Sequence, residues 1–544
     1  MRSRWIVCGL YLGLATALVS AAAAEVNIGS VQERLRARFG DGAAQPAEPL
    51  EQALATFYGR RDYQPAWIYG SGLTDDGNLV VDSLVTSRLH GLEPEDYDLA
   101  AIRELVGSRE PERLAVLDAL MTGAFLRYCY DLRSGRADPR DADPEWFVEA
   151  DGIDHLTALE ESIADGNLAE VLGGLMPPDP SYALLREALE DYRRIGAGGG
   201  WPRLPESPAL KVNARDPAVI VLRKRLWTSG DLESPRQDDL FDEDLEAAVV
   251  RFQDRHGLDA DGVVGRRTRT ALDVPVEERV RQIVLNLERW RWMPRQADSR
   301  YILVNMAGFE MRVIEDEVPI LRMRVVIGRP YRRTPAFSEA MTYVVVNPYW
   351  HVPPSLAVRD LLPKIREDSG YLERQGIRVF SDWTENAREL DGQAMDWSNV
   401  SGRHFPYKLR QDPGPHNALG RIKFMLPNRF NIYLHDTPHR EHFDLSVRAF
   451  SSGCIRLEDP LALADYLLGD AGWSPERVRE TVASSKRRVV TLSRPIPVYL
   501  VYRTAWVERD GAVRFRDDVY GRDKLLATAL ETGVPGGIRT GAAP

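Results

Sequence analysis

The period of the hydrophobic residues changes near Arg300, and that change constrains the fold more than any other property of the chain. Before it, apolar residues recur at helical spacing. Leu79, Val80, Leu84, Val85 and Leu89 run up to Gly91, and Leu245, Val249 and Phe252 share a helix face that Gly257 closes. After it, apolar residues come in short runs rich in β-branched side chains, at 301–305, 311–314, 323–327, 343–346, 431–434, 489–492 and 498–501. Gly308, Gly328 and Pro330 punctuate them. A chain of 544 residues also exceeds one hydrophobic core. The expectation is a multidomain α+β protein, helical first and mostly β later.

Local composition divides the chain further. Arg2 and Arg4 precede an uncharged run from Trp5 to Val19, and small residues follow up to Ala24. Residues 1–24 therefore read as a signal peptide cleaved before Glu25, with an uncleaved membrane anchor as the alternative. Either directs the chain out of the cytoplasm. A poorly ordered lead-in is expected up to about Glu48. Residues 50–200 read as a helical scaffold domain in which Phe57, Tyr58, Tyr63 and Trp67 pack as core. The run Gly198-Gly199-Gly200 with Pro202, Pro205 and Pro208 marks a boundary. Residues 210–275 read as a small three-helix unit, with helices at 219–227 and 242–256 and a short one capped near Thr268. The β-rich domain spans 298–505. Within it, 355–415 is too long for a loop and is expected to be an insertion or lid. A helix at 459–468 starts on Pro460, and 506–544 reads as a C-terminal tail.

Charge and cysteine content limit the chemistry. A net charge of −11 argues against a general nucleic-acid binder. Beyond the leader only Cys129 and Cys454 remain. They could pair with each other, but the surroundings of Cys454 suggest reactivity. It lies in Ser451-Ser452-Gly453-Cys454-Ile455-Arg456-Leu457, 19 residues after His435 in Tyr433-Leu434-His435-Asp436-Thr437-Pro438. A thiol attacks a carbonyl as the thiolate, so it needs a base and gains from a nearby cation; His435 and Arg456 supply both. Gly453 permits a turn whose N–H groups converge on one point, as an oxyanion requires. A rival reading takes His435, His439 and His442, with Asp444 nearby, as a metal site; Pro438 between the first two argues for a loop instead. His351 and His416 could line a cleft or serve structure.

The pattern His435, then Ser451-Ser452-Gly453-Cys454 and Arg456, resembles the active-site signature of L,D-transpeptidases, whose catalytic domain is also called YkuD-like. Most members carry a histidine where Ser452 stands; the large Gram-negative YcbB-like branch has this Ser-Ser-Gly-Cys form. Asn347-Pro348-x-Trp350-x-Val352-Pro353 and Asn417-Ala418-Leu419-Gly420-x2-Lys423-Phe424 resemble further motifs of that branch. The unit at 217–272 resembles the three-helix peptidoglycan-binding domain through Phe252-Gln253, Gly257-Leu258, Asp261-Gly262, Val264-Gly265 and Thr268-x2-Ala271-Leu272. A plain helical spacer of the same fold is the alternative.

The resemblance implies a cysteine acyltransferase that forms 3–3 cross-links in peptidoglycan and releases D-alanine. Cys454 would be the nucleophile and His435 the base. Asp436 would act through its main chain, and Gly453 with Cys454 would donate to the oxyanion. Tyr433, Ser452, Arg456, Asn417 and Trp350 would bind substrate. It implies no cofactor and no metal, a periplasmic location, stem peptides and glycan as partners, and acylation of Cys454 by carbapenems. Transfer to water, a D-amino acid or a lipoprotein lysine, an inactive wall-binding scaffold, and a zinc peptidase remain open.

Overall fold

The computed structural model of the chain describes residues 27–40, 48–70, 72–149, 155–295, 298–400 and 405–532. The leader at 1–24 and the last residues from 533 lie outside the described residues. No described helix is long and apolar enough to cross a membrane. The expected lead-in is in part a helix, Ile28–Phe39, whose Val31, Leu35 and Phe39 recur every fourth residue and are buried.

The helical region is organised around Pro111–Ser134, a helix buried on most of its surface. Asp118, fully buried on it, accepts from the backbone N–H of Ala66 and Trp67 and from the Tyr58 hydroxyl at 2.7–3.1 Å. Thr122 accepts from Trp67 Nε1 at 2.8 Å. Polar anchoring thus fixes the aromatic cluster as core. Burial holds the Asp118 carboxyl above the usual carboxylate range.

In the three-helix unit Asp216 and Asp242 cap the helices Pro217–Thr228 and Glu243–Arg255. Buried Gln253 accepts from Gly262 N and donates to Asp261, Val263 O and Thr268 Oγ1. Gly262 has φ +73°, and a Cβ there would meet Glu246 Cγ at 2.8 Å. The third helix is Arg266–Leu272, capped at Gly265; Thr268 sits inside it and serves the Gln253 network, which corrects the expected cap.

A helix not anticipated from the sequence, Val276–Arg291, joins this unit to the β domain. Its Arg291 and Glu288 form a buried pair, and Arg291 Nη1 donates to His90 O at 2.9 Å, fastening it to the helical region.

The β domain is built on a ten-stranded sheet that closes on itself. Eight strands make the ring: β1 Arg300–Asn305, β2 Glu310–Glu315, β3 Val318–Gly328, β4 Ala336–Val346, β5 Ile422–Met425, β6 Leu434–His435, β7 Ile455–Leu457 and β8 Arg488–Val501. Their order is β5-β6-β7-β3-β2-β1-β8-β4, and β4 pairs again with β5. The two expected strands at 489–492 and 498–501 are one strand, β8, with an irregularity between Thr491 and Ile496. The expected strand at 431–434 shortens to β6, because Asn428 draws 428–432 into a turn by accepting from Phe430 N and Ile432 N. Inward residues such as Ile302, Val304, Val313, Val344, Phe424, Leu434 and Ile455 fill the core with Leu463, Ala464, Leu467 and Leu468 of the helix Pro460–Gly469.

Three attachments complete the domain. The helical region lends the strand Trp146–Phe147, parallel to β4. The insertion runs from Trp350–His351 to Lys408–Gln411, with its own sheet and a core that includes Val352, Leu362, Ile365, Val379, Trp397 and Leu409. The residues expected as a tail are folded through Thr532: Ala505–Val507 pairs with Val513–Phe515, and a helix spans Arg522–Thr532. Arg522 is fully buried and pairs with Asp143 at 3.2 Å and Glu145 at 2.9 Å. Replacing Arg522 with Ala strands that charge cluster and should lower the unfolding free energy by about 3–5 kcal/mol in urea melts; an unchanged midpoint would mean that this join contributes nothing.

Candidate active site

Strand register assembles the site. β6 and β7 run parallel, with Leu434 beside Ile455 and His435 beside Arg456, and Ile455 N donates to Tyr433 O at 3.1 Å. β5 lies antiparallel on the other side, with Lys423 beside His435. Side chains alternate along a strand, so Leu434, Ile455 and Phe424 point into the core while Lys423, Tyr433, His435, Cys454 and Arg456 share the outer face. Cys454 stands beside Tyr433 and diagonal to His435, a relation of about 7–8 Å between Cα atoms that side chains span.

The polar contacts follow from this placement. His435 is buried, and its Nδ1–H donates to Asp436 O at 2.5 Å, which leaves Nε2 as the basic nitrogen. Burial, with Arg456 and Lys423 nearby, lowers its pKa to about 3. Burial pushes the Cys454 thiol up, opposed by hydrogen bonds from the Tyr433 N–H and hydroxyl and by Lys423 and Arg456. Both shifts favour a neutral thiol and a neutral imidazole over an ion pair in the free protein. Sγ contacts Asn431 O at 3.8 Å. Cys129 is buried in the helical core and both cysteines are free, so the two do not pair.

The turn before the thiol is tightly held. Gly453 has φ +119°, where any side chain is strained. Its N–H donates to Ser451 Oγ at 3.0 Å, and Ser451 Oγ donates to Cys454 O at 2.6 Å. The Gly453 N–H is thus used inside the turn, which corrects its expected place as an oxyanion donor; the glycine matters for its conformation. Gly453 O accepts from Thr334 Oγ1 at 2.8 Å. Thr334 is in turn bound by Gly328 N, by the Tyr520 hydroxyl and by Arg522, so the folded C-terminal segment reaches the thiol turn.

The remaining expected residues separate. The Asp436 carboxylate accepts from Arg421 N and Thr437 N, each at 2.7 Å, and packs on Gly420, where a Cβ would lie 2.3 Å from it. Arg456 Nη1 donates to His442 Nδ1 at 3.3 Å. Ser452 is exposed and accepts from Arg332, which also grips Asp360 of the insertion at 2.5 and 2.7 Å. Asn417 is not placed for substrate: it is buried, donates to Pro348 O, Gln411 O and Asp412 O, and accepts from Leu419 N. Trp350 packs against the insertion's core at its root, which is a structural position too. His351 lies near Lys423, while the exposed His416 lends its carbonyl to Gln411. His439 and His442 stand in the turn Arg440–Asp444 and its cap, and among the described residues no three potential ligands converge for a metal.

Lys423 is the site residue that sequence reasoning missed. Its Nζ lies 3.7 Å from the Tyr433 ring centre, and burial lowers its pKa. The sequence showed it only as part of a motif; the pairing of β5 with β6 places it beside His435.

Fold and site together define a thiol–imidazole centre on the outside of a closed β-sheet. Family models match three parts of the chain: "Scaffold domain" at residues 52–189, "Putative peptidoglycan binding domain" at 215–272 and "L,D-transpeptidase catalytic domain" at 299–491. A curated Haemophilus influenzae protein named "Putative L,D-transpeptidase" is 36% identical over 248 residues, 46% of this chain. The match spans about half of that relative, 49% of its length. Among solved structures, the L,D-transpeptidase from Xylanimonas cellulosilytica aligns over 55% of this chain and 100% of its own at 15% identity, with a TM-score of 0.19. That from Stackebrandtia nassauensis aligns over 55% and 96% at 12% identity, with a TM-score of 0.21. Residues 299–491 are an L,D-transpeptidase catalytic domain, and a peptidoglycan-binding domain precedes it.

The lowered pKa of His435 has a consequence for stability. The unfolded imidazole takes its proton near pH 6.5 and the folded one near 3. The contribution is therefore complete above the unfolded value and is lost as pH falls from 6.5 towards 3, at up to about 1.4 kcal/mol per unit. Urea melts across that window should show this slope in the native chain and a shallower one in His435→Gln; equal slopes would contradict the burial assigned to the ring.

Proposed function

We propose that the chain is a peptidoglycan L,D-transpeptidase that forms 3–3 cross-links through a thioester on Cys454. The observation that carries this reading is the shared outer face of Tyr433, His435, Cys454 and Arg456 within an L,D-transpeptidase catalytic domain. The donor is a tetrapeptide stem. Cys454 Sγ attacks the carbonyl of the third residue, diaminopimelate, while Nε2 of His435 takes the thiol proton. Asp436 O holds the imidazolium by accepting from Nδ1–H. The Cys454 N–H and the Tyr433 hydroxyl stabilise the oxyanion. The C–N bond breaks, His435 returns its proton to the nitrogen, and D-alanine leaves. An amine on a second stem then attacks the thioester, its proton passes to His435, and the thiol is regenerated.

The neutral pair in the free protein sets the order of events: proton transfer accompanies attack on a bound carbonyl. Arg456, with Lys423 nearby, supplies positive charge for the carboxylates of the stem. The large insertion and the Ser451-Ser452-Gly453-Cys454 form support placement in the YcbB-like branch. The peptidoglycan-binding domain holds glycan, the leader sends the chain to the periplasm, and carbapenems acylate Cys454.

Incubation with purified tetrapeptide muropeptides, read by mass spectrometry, tests the proposal. The expected product is a cross-linked dimer lighter by one alanine, absent with Cys454→Ala. Loss of alanine without dimer would assign water as the acceptor. Turnover that survives Cys454→Ala and stops with a chelator would overturn the thiol mechanism.

A further inference from the structure

A large cavity lies away from Cys454. A space of about 960 Å³ lies on the outer face of β1 and β2 and is also lined by Pro319 and Arg322 of β3. The start of the helix Pro180–Ala197, the end of Val276–Arg291 and the C-terminal hairpin enclose it. Its size is that of a pocket for a small organic ligand. Trp290, Tyr301, Trp506 and Leu184 form apolar walls.

The other arginines that line this cavity have partners. Arg312 pairs with Glu310 and Glu508, and Arg514 with Asp254 and Glu508. Arg295 donates to the Leu132 and Arg133 carbonyls. Arg503 is different. It is 9% exposed and lines the cavity, its guanidinium stacks 3.6 Å from the Trp290 ring centre, and among the described residues none forms a hydrogen bond or ion pair with that guanidinium; the Asn305 side chain bonds only its backbone. Asp179, the acid that acts on it most strongly, already caps Ser181 N at 2.8 Å. The Arg503 guanidinium opens onto the cavity without a protein partner, so an anion there would gain charge-assisted hydrogen bonds. The surrounding Glu310, Glu508 and Asp179 disfavour a dianion, so one negative charge fits better than a phosphate.

We propose that this cavity binds a small monocarboxylate with an apolar body, its carboxylate on Arg503 and its body between Trp290, Tyr301 and Trp506. The site is independent of the acyl-transfer centre. Such a ligand has two chemical sources, an aliphatic carboxylate or an N-acylated amino acid or short peptide. Arg503 neutralises no carboxylate by contact, so Arg503→Met should fold.

Calorimetric titration of the full chain, with Cys454 alkylated beforehand to close the catalytic centre, tests the proposal. The probes are decanoate, N-acetyl-D-alanyl-D-alanine and inorganic phosphate. Saturable binding of either carboxylate, weakened about 10-fold or more by Arg503→Met, is expected, and which probe binds identifies the source. Leu184→Trp, which fills the cavity and keeps Arg503, should weaken binding as well. The rate of Cys454 alkylation should be the same in both variants. No saturable carboxylate binding by about 10 mM, equal affinity in Arg503→Met, or tighter binding of phosphate would overturn the proposal.

Discussion

The parallel pairing of β6 with β7 is the interaction on which the site depends. Its ladder, which includes the bond from Ile455 N to Tyr433 O, and its register decide which side chains meet. A shift by one residue would send Cys454 and Arg456 into the core and bring Ile455 and Leu457 out. Burial of Leu434 and Ile455 resists that shift, since each apolar side chain would forfeit about 1.5–3 kcal/mol on exposure. Hydrophobic burial on one face of the sheet therefore positions chemistry on the other.

Parts remote in sequence hold this arrangement. The helical region reaches it through Asp143 and Glu145 on Arg522, then through Arg522 to Thr334 and from Thr334 to Gly453. The insertion reaches it through Asp360 and Arg332 to Ser452. Both routes end on the turn that carries the thiol. Preorganisation of that turn is what a neutral thiol requires, because attack must await a bound carbonyl and a base already in place.

Much of this was legible in the sequence, and the exceptions have physical reasons. The change of hydrophobic period separated the helical region from the β domain, and the motif around His435 and Cys454 named two residues that strand pairing places on one face. Gly91, Gly257 and Gly453 were readable because each adopts positive φ, where glycine is favoured. Asn417 misled because a motif asparagine looks like a ligand binder, whereas its amide is consumed by four backbone groups. Residues 506–532 read as a tail because their strands are short and their anchors, Tyr520 and Arg522, gain meaning only from distant partners. The place of Lys423 beside His435 and the role of Arg503 were not readable for the same reason: register and enclosure, not local pattern, give them their neighbours.

Transfer by this site requires an acyl group carried on one sulfur. Intact-protein mass spectrometry of the chain mixed with a tetrapeptide donor, without an acceptor and quenched early in acid, measures this directly. The predicted result is a mass increase equal to the donor less one D-alanine, mapped by peptide digestion to Cys454. Release of D-alanine with no adduct on Cys454 at any quench time, or an adduct on another residue, would contradict it.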